Sequence, residues 1–149
     1  MTLDDREMAR MLDEAIQDAR RALVDARDDA LRVYEANRAG GSPGQSVAFD
    51  SGRYDGLKQA IETVDAMTGK TGATAPALPG AAVAVLREAI GQVDSWRTQA
   101  REAGKDAPDE LARVRAEARA DAFGDVAAML EVLRDSAEQV ERRREHGKA

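Results

Sequence analysis

The chain of 149 residues has no cysteine, one histidine, one tryptophan, two tyrosines and two phenylalanines. Without cysteine there is neither a disulfide framework nor a zinc–thiolate centre. The lone histidine, His146, excludes a di-iron site built on two histidines, and its place near the C-terminus gives a histidine-based triad no firm support. No stretch approaches the ~20 apolar residues of a membrane span. The start, Met1-Thr2-Leu3-Asp4-Asp5, is acidic and is followed by no apolar run, unlike a secretory leader. These absences predict a cytoplasmic protein with no metal, no cofactor and no membrane contact.

What is abundant is charge and alanine. The formal net charge is −6, and it is spread evenly: residues 1–80 hold 14 acids and 10 bases, residues 81–149 hold 14 and 12. Neither half is a basic, nucleic-acid-binding surface. The heavy use of Ala, Arg, Asp and Gly suits a GC-rich genome, bacterial or phage.

Apolar residues recur at steps of three and four, the period of a helix seam. Helix 1 is predicted from about Leu3 to Arg38, with Thr2 as N-cap and a seam through Met8, Leu12, Ile16, Leu23, Ala30 and Val33. Gly40-Gly41 ends it. Ser42-Pro43-Gly44-Gln45 has the chemistry of a helix start, although Gly44 and Gly52 allow helix 2 to begin nearer Ser46 or Asp50. Its seam carries Tyr54, Leu57, Ile61, Val64 and Met67. Residues 69–80, rich in Gly and Pro, form the linker. Helix 3 is expected over roughly 81–103, with Leu86, Ile90, Val93 and Trp96 on one arc. Asp106 is the expected cap of helix 4, which runs to about Arg144 through Leu111, Val114, Ala118, Ala122, Val126, Met129, Leu133 and Val140.

The expected fold is all-α: two helical hairpins, 1–68 and 81–149, forming one elongated antiparallel four-helix bundle or coiled coil. The closing phrases "ANRAG" at 36–40 and "AREAG" at 100–104 hint at an internal duplication. Helices 1 and 4 would be outer helices that outrun the inner pair. Their overhanging apolar stripes would then meet each other, a second subunit or a partner.

Candidate chemistry is sparse. Gly69-Lys70-Thr71 lacks the earlier glycine of a phosphate loop, since Val64 stands there, and it follows a helix rather than a strand. An Mg²⁺-dependent all-α nucleotide pyrophosphohydrolase would need inward carboxylates. The nearest set is Glu62 and Asp65 with Glu14, Asp18, Asp25 or Asp29, and the helical wheel turns most of these outward. Arg142, Arg143 and Arg144 with Lys148 form a short basic end that suits a helix C-terminus. With Arg113, Arg115 and Arg119 they carry the nucleic-acid alternative. Trp96 is either a core anchor or an interface residue; no Trp-x-Gly secretion signature accompanies it, because residue 98 is Thr98. Small residues at four-residue steps, Ala112, Ala116, Ala120, Gly124 and Ala128, mark a second face of helix 4 beside its leucine/valine stripe. Gly52, Gly56 and Ala60 make a shorter row on helix 2, where each glycine weakens the helix by roughly 1 kcal/mol unless packing requires it. The expected function is non-catalytic interaction with other proteins, in an assembly, adaptor or regulatory role, by a homodimer. Its contacts are Trp96, the small-residue row of helix 4 and the arginine end.

Overall fold

A computed structural model describes residues 3–68 and 79–146 of the chain, which form four α-helices and, among the described residues, no strand. They are α1 (Leu3–Ala39), α2 (Gly44–Thr68), α3 (Pro79–Lys105) and α4 (Glu110–His146). Thr2, the linker as far as residue 78 with Gly69-Lys70-Thr71, and Lys148 lie outside the described residues, as do the side chains of Met67 and Arg144. The last two residues of the expected linker are helical, because α3 starts at Pro79, a residue suited to a first turn. No described helix is long and apolar enough to cross a membrane.

The turns follow from local chemistry. Gly41 adopts φ 68°, the left-handed conformation that ends many helices. Ser42 N then donates to Asn37 O at 3.0 Å, and Gly40 N to Ala36 O at 2.9 Å. Ser42 Oγ donates to Asn37 Oδ1, while Asn37 Nδ2 donates to Asp50 of α2. The helix start at Ser42-Pro43 is the one used, rather than Ser46 or Asp50. At the second turn the cap differs from expectation. Asp106 N still donates back to Glu102 O, completing α3. Asp109 Oδ1 instead accepts from Ala112 N at 2.8 Å, which makes Asp109 the N-cap of α4.

Packing places α4 inside. Its contacts with α3 are the most extensive, followed by those with α2; α1 lies mainly on α2 and touches α3 least. α3 and α4 run antiparallel, since Gly104 meets Ala116 and Arg87 pairs with Glu138 at 2.7 Å. α1 and α2 are also antiparallel, tied by Asn37–Asp50 at one end and Arg20–Asp65 at the other. α2 and α4 run parallel: Gly44 faces Leu111, Gly52 faces Arg115 and Gly56 faces Arg119 and Ala122. Both tight turns therefore share one end of the molecule.

This order corrects the expectation that α4 is an outer helix. With α2 on one side and α3 on the other, α4 buries Ala118, Ala120, Ala122, Phe123, Val126, Ala127, Leu130, Leu133 and Ala137. The leucine/valine stripe and the small-residue row are thus two edges of one wide buried arc. The lengths do match expectation: α1 and α4 have 37 residues each, about 55 Å at 1.5 Å per residue, against 25 and 27 for α2 and α3.

The parallel seam depends on missing side chains. A Cβ on Gly52 would overlap the Arg115 carbonyl oxygen and lie 2.9 Å from its carbon; one on Gly56 would stand 2.9 Å from both Arg119 O and the Ala122 Cβ. Gly91, by contrast, has nothing within 4 Å of its notional Cβ. Gly52→Ala is expected to lower stability by about 2–3 kcal/mol through overpacking against backbone. Gly91→Ala should raise it by about 0.5–1 kcal/mol through helix propensity. Urea denaturation of the two variants reads both signs; equal effects would refute the close seam.

Candidate functional site

The carboxylates of the Mg²⁺ alternative do not converge. Glu62 is exposed, as are Glu14, Asp18, Asp25 and Asp29. Asp65 is half-buried and gripped by α1: Arg20 Nε donates to its Oδ1 at 2.6 Å and Nη2 to its Oδ2 at 3.0 Å. That contact raises the pKa of Arg20, first through the hydrogen bond and then through the charge of Asp65. Asp18 and Asp29 face Arg21 and Arg32 on their own helix. Among the described residues, no three His, Cys, Asp or Glu side chains are grouped so as to hold a metal ion.

The arginines of the nucleic-acid alternative likewise point in different directions. Arg113 bridges Glu110 and Glu117, and its pKa is raised by the Glu110 hydrogen bond before any other influence. Arg119 turns inward, donating through Nη2 to Gln59 of α2. Its guanidinium carbon lies 5.5 Å from the Phe123 ring centre, a cation–π distance. Arg115 is exposed. At the C-terminal end Arg142 and Arg143 are exposed, Arg142 within 3.9 Å of Glu138; the side chain of Arg144 is outside the described residues.

The small-residue row meets α3. Ala116 stands 3.6 Å from the notional Cβ of Gly104, Ala120 is buried, and the guanidinium of Arg97 lies over Gly124, 3.2–3.4 Å from where a Cβ would be. Ala112 is half-buried and Ala128 exposed. Trp96 is half-buried on the same seam, with its ring edge-on to Phe123 at 6.0 Å and 89°. Phe123 itself is fully buried, one of the largest side chains in the core. Arg119, Phe123 and Trp96 thus form one contact chain from Gln59 on α2, through α4, to α3. The Nε atoms of Arg97 and Arg119 are buried with no hydrogen-bond partner, although Arg119 is still paired through Nη2.

Among the described residues, five large apolar side chains stay exposed: Met11 at 62 %, Val33 at 37 %, Phe49 and Leu111 at 46 % each, and Val132 at 66 %. Phe49 and Leu111 lie near the end that carries both turns, where Leu111 methyls reach within 3.5 Å of the notional Cβ of Gly44. Sequence reasoning did not single out this pair. Phe49 is seven residues before buried Gly56 and so shares its arc, which periodicity assigns to the interior. Its exposure follows from a position near a helix start, which a helical wheel does not encode.

No family model, curated protein or solved structure matches the chain.

Phe123 is the common element of the contact chain. Phe123→Ala is expected to lower stability by about 3–5 kcal/mol and to shift the emission of Trp96, the sole tryptophan, to longer wavelength as water reaches its ring edge. A denaturation curve and a fluorescence spectrum of the native variant check both; an unchanged spectrum would place Trp96 elsewhere.

Proposed function

We propose that this chain is a non-catalytic, elongated helical-bundle protein that binds other proteins, in an assembly, adaptor or regulatory role, and self-associates as a homodimer. The observation that carries the reading is the exposure of both Phe49 and Leu111 toward the end that carries the two turns. In a chain with two phenylalanines, one anchors the core and the other is left half in water. Aromatic side chains, phenylalanine among them, are enriched in protein–protein interfaces relative to the rest of the surface. Val132 on α4 and Met11 on α1 are separate exposed apolar side chains on the two long helices. Trp96, half-buried between α3 and α4, and the exposed arginines Arg142 and Arg143 at the far end of α4 are further contacts in the proposal.

The outward carboxylates and the self-paired Arg113 support this reading over an Mg²⁺ hydrolase or a nucleic-acid binder. Both alternatives need charges of one sign brought together.

Phe49→Ser combined with Leu111→Ser removes the proposed anchor without touching a fully buried residue. The expected result is a fold with unchanged circular dichroism, a loss of dimer mass by light scattering, and a loss of the proteins captured by the wild-type chain from its native host. Retention of both the mass and the captured set would overturn the assignment of this surface.

A further inference from the structure

We propose that α1 is a hinged cover that opens as a unit at the 40–43 turn and uncovers an apolar stripe on α2, while α2, α3 and α4 stay folded. Burial is distributed unevenly between the two long helices, which favours such an opening, although Ala15, Ile16, Ala19, Val24 and Ala26 of α1 are partly buried against the core. Of the described residues of α1 only Leu12, Leu23 and Ala30 are buried, whereas α4, of equal length, buries nine. α1 lies mainly on one neighbour, α2, and α4 on two. Regions with few buried apolar side chains open at lower free energy than the core they rest on.

Two polar latches hold the cover, Asn37 to Asp50 beside the hinge and the two-point contact of Arg20 with Asp65 far from it. Both partners on α2 mark the side that α1 covers. Leu57 and Ile61 share that side, seven residues after Asp50 and four before Asp65, and are 2 % and 3 % exposed. The hinge has a permissive residue: Gly41, at φ 68° with nothing within 4 Å of its notional Cβ, is free to leave the left-handed conformation. Opening therefore changes one short turn, breaks two latches, releases the lesser contacts of α1 with α4 and α3, and bares Leu57 and Ile61 together with Leu12, Leu23 and Ala30 of α1.

The opening is a property of this chain alone and does not depend on the interaction reading. The opening itself needs no partner, so its test is independent. Hydrogen–deuterium exchange of the full chain is expected to show amides of 10–36 exchanging faster than those of 118–137. Asp65→Arg sets two guanidinium groups against each other and should speed exchange over 10–36 by about tenfold, leaving 118–137 unchanged. Arg20→Asp combined with Asp65→Arg should restore the wild-type rate. Exchange of both regions at one rate in the wild type, or equal acceleration of both by Asp65→Arg, would overturn the proposal. If Asp65→Arg does not fold, the wild-type comparison alone decides.

Discussion

The close parallel approach of α2 to α4 is the constraint on which the other contacts depend. Gly52 and Gly56 let the backbone of α2 reach the carbonyl groups of Arg115 and Arg119. Parallel neighbours cannot be joined by a tight turn, so this contact is made between the two hairpins rather than within one. It carries α4 into the interior, and α3 then closes over its other side. Each hairpin supplies its own antiparallel contact; the seam between them makes the four helices one body.

Once α4 is interior, its composition has a physical reason. A helix with neighbours on two sides needs a wide buried arc, and the arc must stay narrow in cross-section if both backbones are to approach. Alanine meets both demands, contributing helix propensity and little bulk. The largest exception is Phe123, which is edged by Trp96 of α3 and capped by Arg119, itself bonded to Gln59 of α2. Charge then sets register. One pair ties each packed couple: Arg20–Asp65 for α1 and α2, Arg53–Asp125 for α2 and α4, Arg87–Glu138 for α3 and α4. Partly exposed pairs of this kind add little energy, and they disfavour slippage of one helix along another.

Much of this was legible in the chain and some was not, for a definable reason. Helix boundaries followed from local chemistry: Gly40-Gly41 stops α1, Ser42-Pro43 starts α2, and the small rows at Gly52/Gly56 and Ala116/Ala120/Gly124 stood out as packing faces. Periodicity identifies a buried face and says nothing of which helix covers it. That α2 rather than α1 lies beside α4 depends on residues some sixty positions apart, such as Gln59 and Arg119. The cap was expected at Asp106 and lies at Asp109 because either aspartate satisfies the same local rule; the bonds of Ala112 N to Asp109 Oδ1 and of Asp106 N to Glu102 O separate them. Phe49 was hidden by its own regular spacing.

The shared end of the two turns has an electrostatic consequence. Side-by-side parallel helices bring their positive N-terminal dipole ends together, here the starts of α2 and α4, with Gly44 next to Leu111. α2 has no acid in its first turn, whereas α4 begins with Glu110 behind the Asp109 cap. Those two carboxylates therefore stand in the field of two helix termini rather than one, and they offset the partial positive charge of an α2 start that has no acid of its own.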